Sequence, residues 1–113
     1  MNSRQKGKRG EREWAKVLTD MGFRARRGVQ FSGGEDSPDV VGGFPGTHAE
    51  VKRVEQLNLH AASDQASRDA GAKKVPYVAH RKNGQPWLVT VKAEDLLRFC
   101  QAVVAAEQQK KEA

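Results

Sequence analysis

Residues 38–52 constrain this chain more than any other stretch, because they set Pro38-Asp39 ahead of a Gly42-Gly43-Phe44-Pro45-Gly46 interruption and the triplet Glu50-Val51-Lys52. Residues 39–41 and 49–52 alternate like short strands, and the glycines and proline between them are turn formers, so the stretch predicts a hairpin. Successive strand side chains point to opposite faces, so Glu50 and Lys52 share one face while Val51 points into the core behind it. With Asp39 opening the neighbouring antiparallel strand, its carboxylate converges on that of Glu50. Two carboxylates so close repel unless a cation joins them. Magnesium meets that need: it takes oxygen ligands, keeps several waters and binds one or two protein carboxylates together with phosphate oxygens. Lys52 beside the ion would orient or help deprotonate a water and stabilise charge building on a phosphoryl group. The same residues also fit a surface hairpin whose Glu50 and Lys52 are solvated neighbours, so the rest of the chain has to decide.

A chain of 113 residues supports one core, hence a single domain over residues 1–113. Its formal charge of +6 and pI near 9.8 point to a polyanionic partner, nucleic acid above all. The lone Cys100 excludes an internal disulfide, fits a reducing compartment and reads as a core packer among apolar neighbours. No apolar run is long enough to span a bilayer and the basic N-terminus has no signal-like apolar region, so no membrane association and a cytoplasmic, intracellular protein are expected. His48, His60 and His80 are too scattered to suggest a zinc site.

Along the chain, residues 1–9 read as a basic arm carrying Arg4, Lys6, Lys8 and Arg9, with Arg12 just beyond it. From about Gly10, Trp14, Val17, Leu18 and Met21 recur at helical spacing, and Gly22 closes the helix. Glu11 and Glu13 project about 200° apart around such a helix, and Glu11 falls on the side of Trp14 and Leu18, where a carboxylate wants a partner. Its bland alternative is a favourable place near the positive end of the helix dipole. Residues 23–31 read as a strand with Arg24, Arg26 and Arg27, followed by a glycine-rich loop over residues 32–37 whose Glu35 and Asp36 read as solvated. That loop either closes over a phosphate backbone or is a solvated linker.

Residues 58–71 predict an alanine-rich helix packed through Leu59, Ala62, Ala66 and Ala70, with Gln65 and Arg68 projecting from it, either to solvent or to a backbone or active-site water. Residues 75–81 and 87–91 predict two strands joined through Asn83-Gly84. Residues 93–107 predict a last helix packing Leu96, Leu97, Cys100, Val103 and Val104, and residues 108–113 a fraying polar tail. The fold class is therefore α/β, a mixed central β-sheet flanked by helices.

This order of elements, with Glu11 on the first helix, Pro38-Asp39 on the second strand and Glu50-Val51-Lys52 on the third, resembles the PD-(D/E)XK nuclease superfamily and its restriction-endonuclease-like core. Through Lys6-Gly7, Glu11-Arg12, Gly22-Phe23, Arg27, Ser32-Gly33, Pro38-Asp39 and Glu50-Val51-Lys52, the first half is similar to the archaeal-type Holliday junction resolvases and their phage-encoded relatives. The resemblance implies a metal-dependent endonuclease acting on branched or duplex DNA, with Mg2+, or Mn2+ in its place, and a homodimeric assembly. It puts the metal on Asp39, Glu50 and the carbonyl of Val51, with Glu11 reaching it through water or serving a second ion. Lys52 positions the attacking water and Ser32 touches the scissile phosphate. Arg4, Lys6, Lys8, Arg9, Arg12, Arg24, Arg26 and Arg27 would bind the DNA backbone, giving salt-dependent affinity without sequence readout. Two alternatives stay open: a repair, flap or single-strand endonuclease with the same site, and a non-catalytic DNA-binding protein of the same fold.

Overall fold

The computed structural model describes residues 3–28 and 39–112, with side chains over residues 7–28 and 39–110. The elements are α1 (Ser3–Asp20), β1 (Ala25–Arg27), β2 (Val40–Gly42), β3 (Thr47–Arg53), α2 (Leu59–Ala70), β4 (Val75–Arg81), β5 (Leu88–Thr90) and α3 (Leu96–Glu112), the last entered through a 3-10 turn at Ala93–Asp95. The predicted order of helices and strands is reproduced. Ser32 and Pro38, with the rest of the loop expected over residues 32–37, lie outside the described residues.

β4 is the central strand, parallel to β3 and antiparallel to β5. Its residues from Val75 to Ala79 are buried without alternation, as expected of a strand covered on both faces. On one side α1 and α3 deliver Trp14, Leu18 and Ala106 onto Ala49, Val51, Tyr77 and Ala79. Aromatic rings fill this layer: Phe44 meets Phe99 edge to face and Tyr77 meets it at a tilt, and the Trp14 indole donates a hydrogen bond to the Tyr77 hydroxyl at 3.1 Å. On the other side α2 lays Ala62 and Ala66 on Val78. Small side chains at those positions let the helix approach closely, and the helix is capped at both ends: the Asn58 side chain accepts from the Ala61 amide, and the Gly71 amide donates to the Ser67 carbonyl.

Several expectations need correcting. The hairpin predicted over residues 39–52 does not form: β2 pairs with β1 in a separate two-stranded antiparallel sheet, and β3 pairs with β4. The turn formers are there, with Gly42 and Gly43 at φ 93° and 79°, but β3 takes its partner from further along the chain, where α2 returns β4 to lie parallel to it. The basic arm is helical from Ser3 onwards, since Arg, Lys and Gln are good helix formers. Met21 lies past the helix end and is exposed.

The last helix reaches Glu112, so no frayed tail begins at residue 108. Its inward residues are Phe99, Ala102, Val103 and Ala106, whereas Leu96, Leu97, Cys100 and Val104 are exposed. Periodicity located an apolar arc there but not which half of it meets the sheet, and the Phe99 ring claims that position. Among the described residues, no helix is long and apolar enough to cross a membrane.

Candidate active site

Among the described residues β3 is an edge strand, and its alternation builds the site. Ala49 and Val51 turn into the aromatic layer, and His48, Glu50 and Lys52 turn the other way. Glu50 is buried, only 4 % exposed, with the Lys52 ammonium 3.5 Å from Oε1 and the His48 ring Nε2 3.8 Å from Oε2.

Asp39 sits just before β2 and is held from two directions. Its backbone carbonyl accepts from the Gly28 amide at 2.9 Å, and its carboxylate Oδ2 accepts from the Val51 amide at 3.1 Å. The missing ladder between β2 and β3 is thus replaced by one side chain gripping the open edge of β3. Burial, and then the charge of Glu50, push the Asp39 carboxyl up to about 6, against the pull of the Val51 amide; Glu11 adds to the rise.

α1 supplies the third carboxylate. Gly10 lets the helix press against Arg53 and Val51 of β3, and the next residue, Glu11, accepts from the Arg27 guanidinium at 2.8 Å. Burial raises the Glu11 carboxyl above its ordinary range, with the Arg27 hydrogen bond opposing and the Glu50 charge adding to the rise. Glu13 points elsewhere, as its spacing from Glu11 requires. Its carboxylate meets Arg53 at 2.8 Å, Arg9 at 3.1 Å and Arg81 at 3.4 Å.

The charges of Asp39, Glu50 and Glu11 therefore act on one another at the outer edge of β3, with Lys52 alongside. The basic residues are more divided than expected. Lys8, Arg12, Arg24 and Arg26 are exposed, whereas Arg27 is tied to Glu11 and Arg9 to Glu13. Ser32, and the side chains of Arg4 and Lys6, lie outside the described residues.

Sequence reasoning passed over the His48, Glu50 and Asp69 trio, whose ligand atoms all lie within 4.8 Å of one another. The scatter of His48, His60 and His80 hides the fact that His48, two residues before Glu50 on a strand, shares its face. Asp69 comes from α2, and only the packing of that helix brings it near. Also unforeseen is the anchoring of Arg53, which is buried and bridges Glu13 to the Asn83 side chain at the β4–β5 turn.

Residues 2–112 match the family described as archaeal Holliday junction resolvase (hjc). The chain belongs to that family of PD-(D/E)XK-type nucleases, and the α/β fold with helices on both faces of a mixed sheet agrees with its restriction-endonuclease-like core. Membership makes it a Holliday junction resolvase, an endonuclease that acts on branched DNA and needs a divalent cation. No curated protein and no solved structure matches the chain.

Proposed function

We propose that the chain resolves four-way junctions by hydrolysing phosphodiesters with Mg2+, or Mn2+ in its place, held by Asp39, Glu50 and the carbonyl of Val51. The observation that carries this is the crowding of carboxylates: Asp39 is half-buried, and burial followed by the charges of Glu50 and Glu11 raises it to about 6. A divalent ion fits that donor set. Oδ2 of Asp39 takes the Val51 amide while Oδ1 has no donor among the described residues, and the carbonyl of a strand residue projects to the same edge as its amide. When bound, such an ion supplies Lewis-acid stabilisation of the phosphoryl oxygens and makes a water more acidic.

The side chains do the rest. Lys52, close to Glu50, orients the attacking water and offsets charge on the phosphoryl group. Glu11, steadied by Arg27, reaches the site through a bound water. The exposed Lys8, Arg12, Arg24 and Arg26 hold the DNA backbone, with Ser32, Arg4 and Lys6 as further contacts.

A homodimer completes this reading. A four-way junction has two-fold symmetry and must be cut in two opposed strands, which calls for two sites of the same kind. On α3, Leu96, Leu97, Cys100 and Val104 form an exposed apolar stripe beside the face that meets the sheet, and a second copy would cover it.

The test is cleavage of a four-way junction against matched duplex, flap and single-stranded DNA, with Mg2+ present or chelated. Preferential, chelator-sensitive cutting of the junction is expected; chelator-resistant cutting would overturn the metal assignment, and a preference for flaps or single strands the junction assignment.

A further inference from the structure

We infer that His48, Glu50 and Asp69 form a second divalent-cation site, on the α2 side of β3, which shares Glu50 with the site that includes Asp39. The inference rests on Glu50 being a metal ligand, as proposed above, and adds a partner set that Asp39 does not share.

The first observation is an orphaned nitrogen. His48 is 6 % exposed, and its Nε2 is buried with no hydrogen-bond partner among the described residues. A buried ring nitrogen left unpaired is destabilising, so natural cores leave few of them without a reason. This one is aimed at a carboxylate: Oε2 of Glu50 lies 3.8 Å away, too far for a hydrogen bond.

The second observation is that a third donor closes the group, since His48, Glu50 and Asp69 present one ligand atom each, all within 4.8 Å. An ion with bonds of about 2.1 Å sets neighbouring donors roughly 3.0–3.4 Å apart. The His48 to Glu50 gap is only slightly wider than that. Asp69 is exposed and can swing to make up the remainder.

The surroundings favour positive charge. Asp69 lies in the last turn of α2, which ends at Ala70, so the negative end of the helix dipole faces the site. Lys52 approaches the opposite oxygen, Oε1, and leaves Oε2 to the His48 side. The two oxygens of Glu50 thus look to different neighbours, as a carboxylate bridging two ions would.

The donor set also fixes the type of ion. One imidazole with two carboxylates suits Mn2+ or Zn2+ better than Mg2+, which prefers oxygen alone and gives up its waters reluctantly. The site would therefore respond to Mn2+ while remaining nearly silent to Mg2+.

The experiment is titration of the full chain with Mn2+, read by electron paramagnetic resonance of the free ion, for the wild type and for His48→Gln, Asp69→Asn and Asp39→Asn. Two ions per chain are expected for the wild type. Asp69→Asn and His48→Gln should each weaken one of them at least tenfold and leave the other in place. Because His48 is buried and its variant can misfold, the exposed Asp69→Asn is paired with nitrogen NMR of the wild-type imidazoles, where Zn2+ should shift the Nε2 resonance of His48. A wild-type stoichiometry that Asp69→Asn leaves unchanged, with an unmoved His48 resonance, overturns the second site, whether that stoichiometry is one ion or two. Unchanged binding in Asp39→Asn, with the His48 and Asp69 effects intact, overturns the Asp39 site alone and leaves this one standing.

Discussion

The carboxylate of Asp39 accepts a hydrogen bond from the Val51 amide at 3.1 Å, so one side chain fastens the start of β2 to the open edge of β3. The contact is structural and electrostatic at once, because the same carboxylate carries the repulsion from Glu50. Asp39→Asn separates the two roles. The amide oxygen of Asn can still accept from Val51, so the fold should survive, while the charge a cation needs is gone. Cleavage should fall by about 10²-fold or more, on the scale of losing one preorganised electrostatic group, with junction affinity in gel-shift assays within a few-fold of wild type. Near-normal turnover of this variant in Mg2+ would remove Asp39 from the site.

The raised carboxyl of Asp39 gives the metal-free protein a defined pH response. Its ordinary value is 3.8 and its folded value about 6, so between the two the folded protein keeps a proton that the unfolded chain has released. Stability from this group is therefore fully present below about pH 4 and lost as pH rises through about 6. Chemical denaturation of wild type and Asp39→Asn across pH 4–7 should show the wild type losing ground over that window relative to the variant. A constant difference between them would contradict the raised value. Cation binding must displace the same proton, so Mn2+ affinity should drop below about pH 6.

Much of this was legible in the sequence, for reasons that differ by residue. Glu50, Val51 and Lys52 were readable because a strand has period two and one buried valine fixes the face of its neighbours. Glu11 and Glu13 were separable because helical geometry turns adjacent odd positions apart. The partners of those charges were not readable. Arg27, Arg53 and Arg81 reach their carboxylates across 16, 40 and 68 residues of chain, and no local pattern encodes such distances. Pairing failed for the same reason: glycine and proline announced a turn after β2, but the partner of β3 was decided by the α2 crossover. Cys100 was misplaced because a helix with a wide apolar arc does not declare which part of it faces inward.

Glu11 and Glu13 should fail in different ways. Glu11→Ala loses a carboxylate whose charge is felt by Asp39 and Glu50, so cleavage should fall by orders of magnitude while thermal stability changes little. Glu13→Ala leaves the buried Arg53 guanidinium with the Asn83 side chain as its remaining side-chain hydrogen-bond partner. Removing one partner of a buried pair costs about 3 kcal/mol, so this variant should melt lower yet cut at near-normal rate below its transition. Paired melting curves and single-turnover rates check both, and the reverse pattern would move the site to Glu13.

Two glycines of α1 make a matched test of how closely that helix sits on β3. A methyl at Gly10 would meet Cβ of Arg53 at 2.9 Å, whereas one at Gly7 would meet nothing within 4 Å. Gly7→Ala should stabilise the protein by up to about 1 kcal/mol through helix propensity alone. Gly10→Ala gains the same propensity but must push α1 off the strand, an overpacking cost of about 1–3 kcal/mol. It also shifts Glu11, the adjacent residue, so its cleavage rate should drop as well. Equal stabilisation by both substitutions in denaturant titrations would show that α1 has room to spare.

The last prediction concerns assembly and begins with α3, whose apolar arc is wider than the sheet can cover. Phe99, Ala102, Val103 and Ala106 fill the inward part, while Leu97 is 72 % and Val104 56 % exposed on the neighbouring stripe. These two positions lie seven residues apart, two helical turns, and so stand one above the other. In a two-fold dimer each stripe would pack on its own copy, so one substitution strikes the interface twice. Leu97→Asp and Val104→Asp should leave the circular dichroism of the protomer unchanged, because neither side chain belongs to the core. Sedimentation at micromolar concentration should shift from dimer to monomer. Cleavage of a junction extruded from a supercoiled plasmid should then change from linear product, cut in both strands, to nicked circles. A wild-type chain that sediments as a monomer with and without junction DNA, or variants that keep dimeric sedimentation, would mean that this stripe does not join two copies, while the charges gathered at the edge of β3 would be untouched by that result.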